Sequence, residues 1–283
     1  MSDLNALLNS CSFTELGARQ RAAALLDPGS MRELLDPFER VKSPWLEAQG
    51  IVAQADDGVV IAKGQMAGRP VVVAAIEGNF QGGSMGEVGG AKIAGALELA
   101  AEDNRNGIPT AAVLLLETGG VRLQEANLGL AAIAEIQAGI VELRQYQPVI
   151  AVIAGPVGCF GGMSIAAGLC SHILLTREAR LGLNGPQVIE QEAGIEEYDS
   201  RNRPFIWSLT GGEQRHACGL ADGYLADDAD AIREQVLAVF EAPGEGLPRS
   251  RQHGRFLQLL ARVDTAQQAD AEGVRAFYKG EQA

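Results

Sequence analysis

The chain has 283 residues, of which 47% are hydrophobic and 21% are charged, and 35 are glycine. This composition excludes a disordered chain and a small scaffold held by disulfides or metal ions. The 23 Lys and Arg residues against 36 Asp and Glu residues give a net charge of −13. That charge argues against broad binding to nucleic acid or to an anionic membrane.

The cysteines and the N-terminal segment indicate a reducing compartment and no metal site. None of the cysteines forms a C-x-x-C pair or has a histidine at zinc-ligand spacing; they are Cys11, Cys159, Cys170 and Cys218. The N-terminus has no basic segment followed by an apolar run, and no stretch is long enough to span a membrane. We therefore expect a cytoplasmic location.

The first third of the chain predicts a helical arm followed by a strand meander. Ser12 and Glu15 have capping-box spacing, and Asp-Pro-Gly-Ser at residues 27–30 ends one helix and begins a second, up to about residue 40. From residue 50 to 76, short β-branched runs separated by glycine turns predict strands, the first of them at Ile51-Val52.

Residues 88–176 alternate between helical and strand patterns, which predicts βαβ crossovers and a parallel sheet. Helices are expected around residues 88–104, 124–145 and 161–169, and strands around 110–117, 148–154 and 172–176. The strand segments at residues 111–116 and 149–154 are continuously apolar, as expected where both faces of a sheet are covered. We predict an arm at 1–48, a core at 49–226, and a polar helical tail at 227–283, interrupted at Pro243-Gly244-Glu245-Gly246.

Three glycine clusters follow strand signals, at residues 82–90, 118–120 and 155–162. Ligands of α/β sheets bind beyond the carboxyl ends of the strands, so the last two clusters are expected to face one pocket. Backbone N–H groups of Gly161 and Gly162 at a helix start, with those of Gly119 and Gly120, would form an oxyanion hole for a thioester oxygen. The alternative is that these glycines only permit turns and close packing.

Five ordered motifs resemble the acyl-CoA carboxyltransferase family. Glu-Thr-Gly-Gly-Val-Arg-Leu-Gln-Glu-Ala at residues 117–126 resembles the S-G-G-A-R-M-Q-E-A stretch of the β subunits of the acetyl-CoA carboxylase type. The other four lie at residues 18–30, 83–89, 155–162 and 185–191, and resemble the family's opening arm, its G-S-M-G loop, its P-x-x-G-G turn and its G-P-R-V-I-E-Q segment. The resemblance covers roughly residues 18–225.

The resemblance implies a single α/β domain with the crotonase-like fold of repeated ββα units. It implies catalytic backbone amides at Gly119, Gly120, Gly161 and Gly162. It also implies a substrate-binding role for the residues of the G-S-M-G loop and the nearby arginine, namely Ser84, Met85, Gly86 and Arg122.

One departure narrows the family. The chain has no counterpart of the four-cysteine zinc ribbon found in bacterial acetyl-CoA carboxylase β subunits. In its size, its acidic charge and its stretch from Leu114 to Ala126, it most resembles the β subunits of biotin-independent malonate decarboxylases. That resemblance implies decarboxylation of a malonyl thioester on an acyl carrier protein to the acetyl thioester, together with a γ subunit that completes the site. It implies no metal and no directly bound cofactor. The alternative is a carboxyltransferase β subunit of a biotin-dependent acyl-CoA carboxylase.

Decarboxylation would give an enolate, and four residues are candidates for the acid that protonates it. Glu117, Glu125, Glu190 and Cys159 lie in or beside the motifs, and each is also compatible with a structural role.

Three other classes of function match parts of the sequence. Gly82-Gly83-Ser84-Met85-Gly86 fits the G-x-S-x-G pattern of serine hydrolases, but five residues separate it from the preceding strand. The segment before Lys92 resembles a nucleotide-binding P-loop, but the glycine before the lysine is replaced by Ala91. A non-catalytic scaffold subunit remains as the third alternative.

Overall fold

The computed structural model describes residues 10–53, 57–242, 248–264 and 270–279. Its centre is a seven-stranded sheet in which the strands lie side by side in chain order. The strands are β1 (Arg32–Leu34), β2 (Val59–Met66), β3 (Arg69–Ile76), β4 (Ala111–Leu115), β5 (Val149–Ile153), β6 (His172–Thr176) and β7 (Gly223–Leu225). The pairs β1–β2 and β2–β3 are antiparallel, and all later pairs are parallel.

Helices cover both faces of this sheet. In chain order, the α-helices of the described residues are α1 (Ala18–Leu25), α2 (Glu87–Arg105), α3 (Asn127–Leu143), α4 (Gly162–Leu169), α5 (Pro186–Ala193), α6 (Arg203–Thr210), α7 (Gly212–Ala217), α8 (Ala229–Glu241), α9 (His253–Leu260) and α10 (Ala271–Lys279). Side chains from α2, α3 and α4 form the core on one face, and side chains from α1 and α8 form the core on the other.

The central strands contribute to both cores because successive side chains point to opposite faces. In β5, Val149, Ala151 and Ile153 belong to the first core, whereas Ile150 and Val152 belong to the second. This arrangement confirms the expected parallel α/β sheet with continuously apolar strands.

The carboxyl ends of the parallel strands define the edge where the site lies. Leu114 pairs with Ala151 in β4–β5, so residues 116–121 and 154–161 leave the sheet side by side. Beyond the sheet, the bridges Thr118–Cys159 and Cys159–Leu181 continue the parallel pairing. The loops are therefore joined by backbone contacts rather than by chain connectivity.

The second helix predicted in the arm is wrong. The segment forms β1, where Glu33 pairs with Ala62 at the edge of the sheet, followed by a 3₁₀ turn at Pro37–Glu39. Pairing with β2 satisfies the backbone of this segment, and local capping signals do not reveal such a partner. The strand predicted at Ile51-Val52 is also absent, and Val52 is 84% exposed.

Both flanking segments pack against the sheet. Phe13 and Leu25 from the arm share a core with Ile232 and Val236 from the tail. The boundaries at 48/49 and 226/227 stay predictions, and the predicted interruption at residues 243–246 lies outside the described residues. No helix in the described part of the chain is long and apolar enough to cross a membrane.

Candidate active site

Two glycine doublets meet beyond the carboxyl edge of the sheet. A Cβ atom placed on Gly161 would lie 3.1 Å from the Cα atom of Gly120, and one placed on Gly120 would lie 3.6 Å from the Cα atom of Gly161. Their φ angles are 115° for Gly120 and 61° for Gly161, values that favour glycine. The structure therefore brings the predicted doublets together and requires glycine at their point of contact.

Three of the four predicted donors already have acceptors within the protein. The bonds run from the N–H groups of Gly119, Gly120 and Gly161 to Gly82 O (3.0 Å), Thr118 Oγ1 (3.1 Å) and Leu183 O (2.7 Å), respectively. These N–H groups hold the loops together and are not directed at a ligand. Within the described residues, Gly162 is the member of the predicted set whose N–H has no protein acceptor.

Two N–H groups at the contact are unpaired. Within the described residues, the N–H groups of Val121 and Gly162 donate to no protein acceptor. Gly162 is the first residue of α4, where a helix leaves its N–H groups unpaired and presents the positive end of its dipole. The nitrogen of Val121 lies 3.9 Å from a Cβ placed on Gly161, so the two donors belong to one contact region.

The carbonyl on the other side of each of these peptide bonds is held in place. Gly120 O accepts from the N–H of Met85 at 2.8 Å. Gly161 O accepts from the N–H of Ser164 at 3.0 Å and from its hydroxyl at 2.7 Å. The C=O and N–H of a trans peptide point in opposite directions, so fixing each carbonyl also fixes the direction of the unpaired N–H.

The predicted substrate-binding loop is mainly a support for the neighbouring one. Met85 is fully buried, and its backbone bridges to Val121. The N–H of Glu87, at the start of α2, donates to the carboxylate of Glu125 at 2.7 Å. Gly86 caps this helix start, and a Cβ there would lie 2.4 Å from the same carboxylate. The half-buried Ser84 lines a cleft that is described below.

Arg122 lines the first cleft described below and is also bonded within the protein, and its predicted contact with substrate stays a prediction. The guanidinium donates to Ser84 Oγ at 3.3 Å, to Ser84 O at 2.9 Å and to Asp57 O at 3.2 Å. It also forms an ion pair with Glu125 at 2.9 Å. Arg122 therefore ties the 82–86 loop to the 119–126 loop.

Open space lies in front of the doublets. A cleft of about 720 Å³ is lined by Ser84, Gly119, Val121 and neighbouring residues. A second cleft of about 890 Å³ shares Gly119 and extends past Phe160 towards α5 and α6. Both clefts therefore reach Gly119, the first also reaches Val121, and the adjacent Gly161 and Gly162 are half-buried. Within the described residues, no group of three or more His, Cys, Asp or Glu side chains is placed to hold a metal ion.

Glu117 has a structural position. Its side chain is buried and forms an ion pair with Arg21 of α1. A Cβ on Gly155 would lie 1.8 Å from one carboxylate oxygen, so the carboxylate lies directly against that backbone. Glu117 therefore joins the arm to the end of β4.

The other three acid candidates are also poorly suited to proton donation. The carboxylate of Glu125 is paired with Arg122 and with the start of α2. Hydrogen bonds from Ser200 lower the pKa of Glu190, so this carboxyl is ionised at neutral pH. Complete burial raises the pKa of the Cys159 thiol far above its usual value.

The hydrolase and P-loop alternatives lack the geometry that they need. The hydroxyl of Ser84 accepts from Arg122, and among the described residues it has no hydrogen bond with a histidine. His172, the first of the three histidines that follow Ser84 in the chain, begins β6, at the opposite end of the strand from the glycine loops. Lys92 is buried, where it donates to Val59 O at 2.6 Å and pairs with Asp57.

Sequence reasoning missed the N–H of Val121 and the side chain of Ser164. Val121 directly follows the glycine doublet, and Ser164 stands three residues after Gly161, the spacing of a hydroxyl that bonds back to a helix start. The spacing was a usable signal for Ser164. The direction of the Val121 N–H depends on the distant Met85 and has no local signal.

Comparisons with known proteins agree with this architecture. Residues 14–252 match the carboxyl transferase domain family. The malonyl-S-ACP:biotin-protein carboxyltransferase MADC of Malonomonas rubra is 37% identical over 267 residues, which are 91% of this chain and 84% of that protein.

Solved structures extend the similarity. A chain in the crystal structure of a Pseudomonas malonate decarboxylase hetero-tetramer in complex with malonate is 74% identical, with a TM-score of 0.90; the match covers 97% of this chain and 100% of that one. A transcarboxylase 12S structure with methylmalonyl-coenzyme A is 32% identical, with a TM-score of 0.65, over 79% of this chain and 40% of that one. These neighbours confirm the expected crotonase-like fold. The chain belongs to the carboxyl transferase family.

Proposed function

We propose that this chain is the β subunit of a malonate decarboxylase, and that it converts a malonyl thioester to an acetyl thioester in an oxyanion hole formed by the N–H groups of Val121 and Gly162. The observation that carries this proposal is the pair of unpaired, oriented N–H groups at the contact between the two doublets. The high identity to a chain of the Pseudomonas malonate decarboxylase supports the choice of reaction.

Decarboxylation of a malonyl thioester requires stabilisation of a negative charge on the thioester oxygen. When the bond between the carboxylate carbon and the methylene carbon breaks, its electron pair moves towards the thioester carbonyl, CO₂ leaves, and the thioester oxygen becomes negative. Preorganised N–H donors bind this oxygen more strongly than the neutral carbonyl, which lowers the barrier. Removal of one such donor in other enzymes costs about 2.7–4 kcal/mol of transition-state stabilisation.

Protonation of the enolate at its carbon atom then gives the acetyl thioester. All four acid candidates in this chain are paired, ionised or buried within the protein. We therefore propose that the proton comes from the partner subunit or from water, and not from these side chains.

The substrate carrier and the partner follow from the relatives. The Malonomonas protein is named for a malonyl-S-ACP substrate, and the Pseudomonas chains belong to a hetero-tetramer and to an MdcD–MdcE hetero-dimer. We propose an acyl carrier protein thioester as substrate and a γ subunit as the partner that supplies the other half of the site.

A second candidate function is transfer of the carboxyl group to biotin. It is favoured by the Malonomonas relative, which is named as a biotin-protein carboxyltransferase. Both reactions pass through the same enolate and use the same N–H donors, so the fate of the carboxyl group separates them.

The test is to incubate the complex of this chain and its partner with a malonyl thioester in the absence of biotin. Formation of acetyl thioester and CO₂ at a rate that biotinylated acceptor protein does not increase is the expected result. Turnover that requires a biotinylated acceptor would establish the second candidate and overturn the first.

A further inference from the structure

We propose that Ser164 is a positioning residue for the reaction, because its side chain holds the peptide bond that carries the Gly162 N–H. This inference rests on the proposed function, since it assigns Ser164 a task at the oxyanion hole proposed above. Ser164 is the third residue of α4 and is only half-buried. Its hydroxyl donates to Gly161 O at 2.7 Å.

The peptide between Gly161 and Gly162 has little else to fix it. Gly161 has φ 61° and ψ −146°, and the peptide joins two residues without side chains. Glycine has the widest choice of backbone conformations, so this peptide is free to rotate unless its polar atoms are held. Ser164 holds it twice, through its own N–H at 3.0 Å and through its hydroxyl.

The Ser164 hydroxyl acts on the Gly162 N–H in two ways. It keeps Gly161 O pointing into the helix, so the N–H on the other side of the peptide points out of the helix start. It also polarises the peptide, and hydrogen bonds in such a chain strengthen one another. Both effects matter most when the ligand oxygen is negative, so they act on the transition state more than on bound substrate.

A neighbouring contact separates Ser164 from ordinary helix capping. Gln137 of α3 donates to Gly162 O at 3.1 Å, which fixes the next peptide of the helix. The helix start is therefore anchored without the Ser164 hydroxyl. The Ser164 hydroxyl instead binds the preceding peptide, whose Gly162 N–H is one of the two proposed donors.

The experiment compares Ser164→Ala and Ser164→Thr with wild type in the complex with the partner subunit. The probe is malonyl-N-acetylcysteamine, and kcat and KM for acetyl thioester formation are measured. We expect Ser164→Ala to lower kcat about threefold to tenfold, the range of one lost hydrogen bond, with KM changed less than about twofold. Ser164→Thr keeps the hydroxyl and is expected to recover most of kcat.

Ser208→Ala is the matched control. The hydroxyl of Ser208 in α6 donates to Phe205 O, also three residues back and also at 2.7 Å. Ser208→Ala removes the equivalent hydrogen bond in another helix, and it is expected to leave kcat and KM unchanged. Equal kcat for Ser164→Ala and wild type, or a loss that Ser164→Thr does not recover, would overturn the positioning role.

A second reaction separates this inference from the proposed function. Exchange of the methyl hydrogens of acetyl-N-acetylcysteamine with D₂O requires the enolate but no carboxyl group. If wild type does not decarboxylate but catalyses exchange, the proposed function fails, and the Ser164 variants are judged by their exchange rates. If wild type catalyses neither reaction, both proposals fail.

Discussion

Replacement of Glu117 by Gln tests whether this carboxylate is structural. The side chains of Glu117 and Arg21, which form an ion pair, are only 6% and 7% exposed. The remaining Arg21 donors go to the main-chain oxygens of Phe13 at 2.9 Å and Thr14 at 2.7 Å, which are neutral. Glu117→Gln therefore leaves a buried cation without an anion.

The expected cost follows from this burial. Removal of one partner from a buried ion pair costs about 3–5 kcal/mol, and Gln keeps an oxygen acceptor, so we expect a loss near the lower limit, about 3 kcal/mol. The backbone at Gly155 packs directly against the carboxylate, which keeps this side of the group away from solvent. The loss is measured as the free energy of unfolding in urea, followed by circular dichroism.

An exposed ion pair provides the control for this prediction. Arg19 and Glu33 pair at 2.9 Å, with side chains 50% and 20% exposed. Such pairs contribute about 0–1 kcal/mol, so Glu33→Gln is expected to change stability little. If Glu117→Gln destabilised the protein no more than Glu33→Gln, the structural role of Glu117 would be refuted.

Three further predictions concern cysteine reactivity, pH and the bond network between the loops. Burial raises the pKa of Cys170 to about 12, so iodoacetamide at pH 8 is expected to label only the exposed Cys11 in the native chain; mass spectrometry that finds a second labelled site contradicts this. Partial burial lowers the pKa of His172 below its usual 6.5, so the unfolded chain takes up the proton first as the pH falls; stability should drop below about pH 6.5, and His172→Gln should reduce that drop in urea titrations. Arg122→Lys is expected to lower the free energy of unfolding by about 2 kcal/mol, because an ammonium group cannot make all the bonds of the buried guanidinium to Ser84, Asp57 and Glu125; an unchanged urea midpoint would show that this network contributes nothing.

The parts of the fold that depend on local pattern were predictable. The strand expected around 148–154 is Val149–Ile153, and the helix expected around 88–104 is Glu87–Arg105. Long apolar runs and helical periodicity carry this information within the segment itself. The arm strand Arg32–Leu34 was missed because it depends on pairing with β2, which lies about 30 residues away in the chain.

In the candidate site, too, some features were predictable from the local sequence and others depend on distant contacts. The position of the doublets followed from glycine clusters after strands, but the choice of N–H groups did not. Gly120 N–H is used by Thr118, whereas Val121 N–H is left unpaired because Met85 holds Gly120 O. The direction of a peptide is set by such distant bonds, which sequence spacing does not reveal.

The central claim is that the Gly162 N–H stabilises the enolate, and replacement of this residue by proline tests it most directly. Gly162 is the first residue of α4, a position where proline fits the helix, and proline removes the donor by replacing its hydrogen with a ring carbon. Gly162→Ala is the control, because it keeps the N–H while its Cβ meets Ile133 at 2.9 Å, as the proline Cβ also does. We predict that the complex with Gly162→Pro decarboxylates a malonyl thioester about 10²–10³ times more slowly than the complex with Gly162→Ala. Equal kcat values for the two folded complexes would contradict the account.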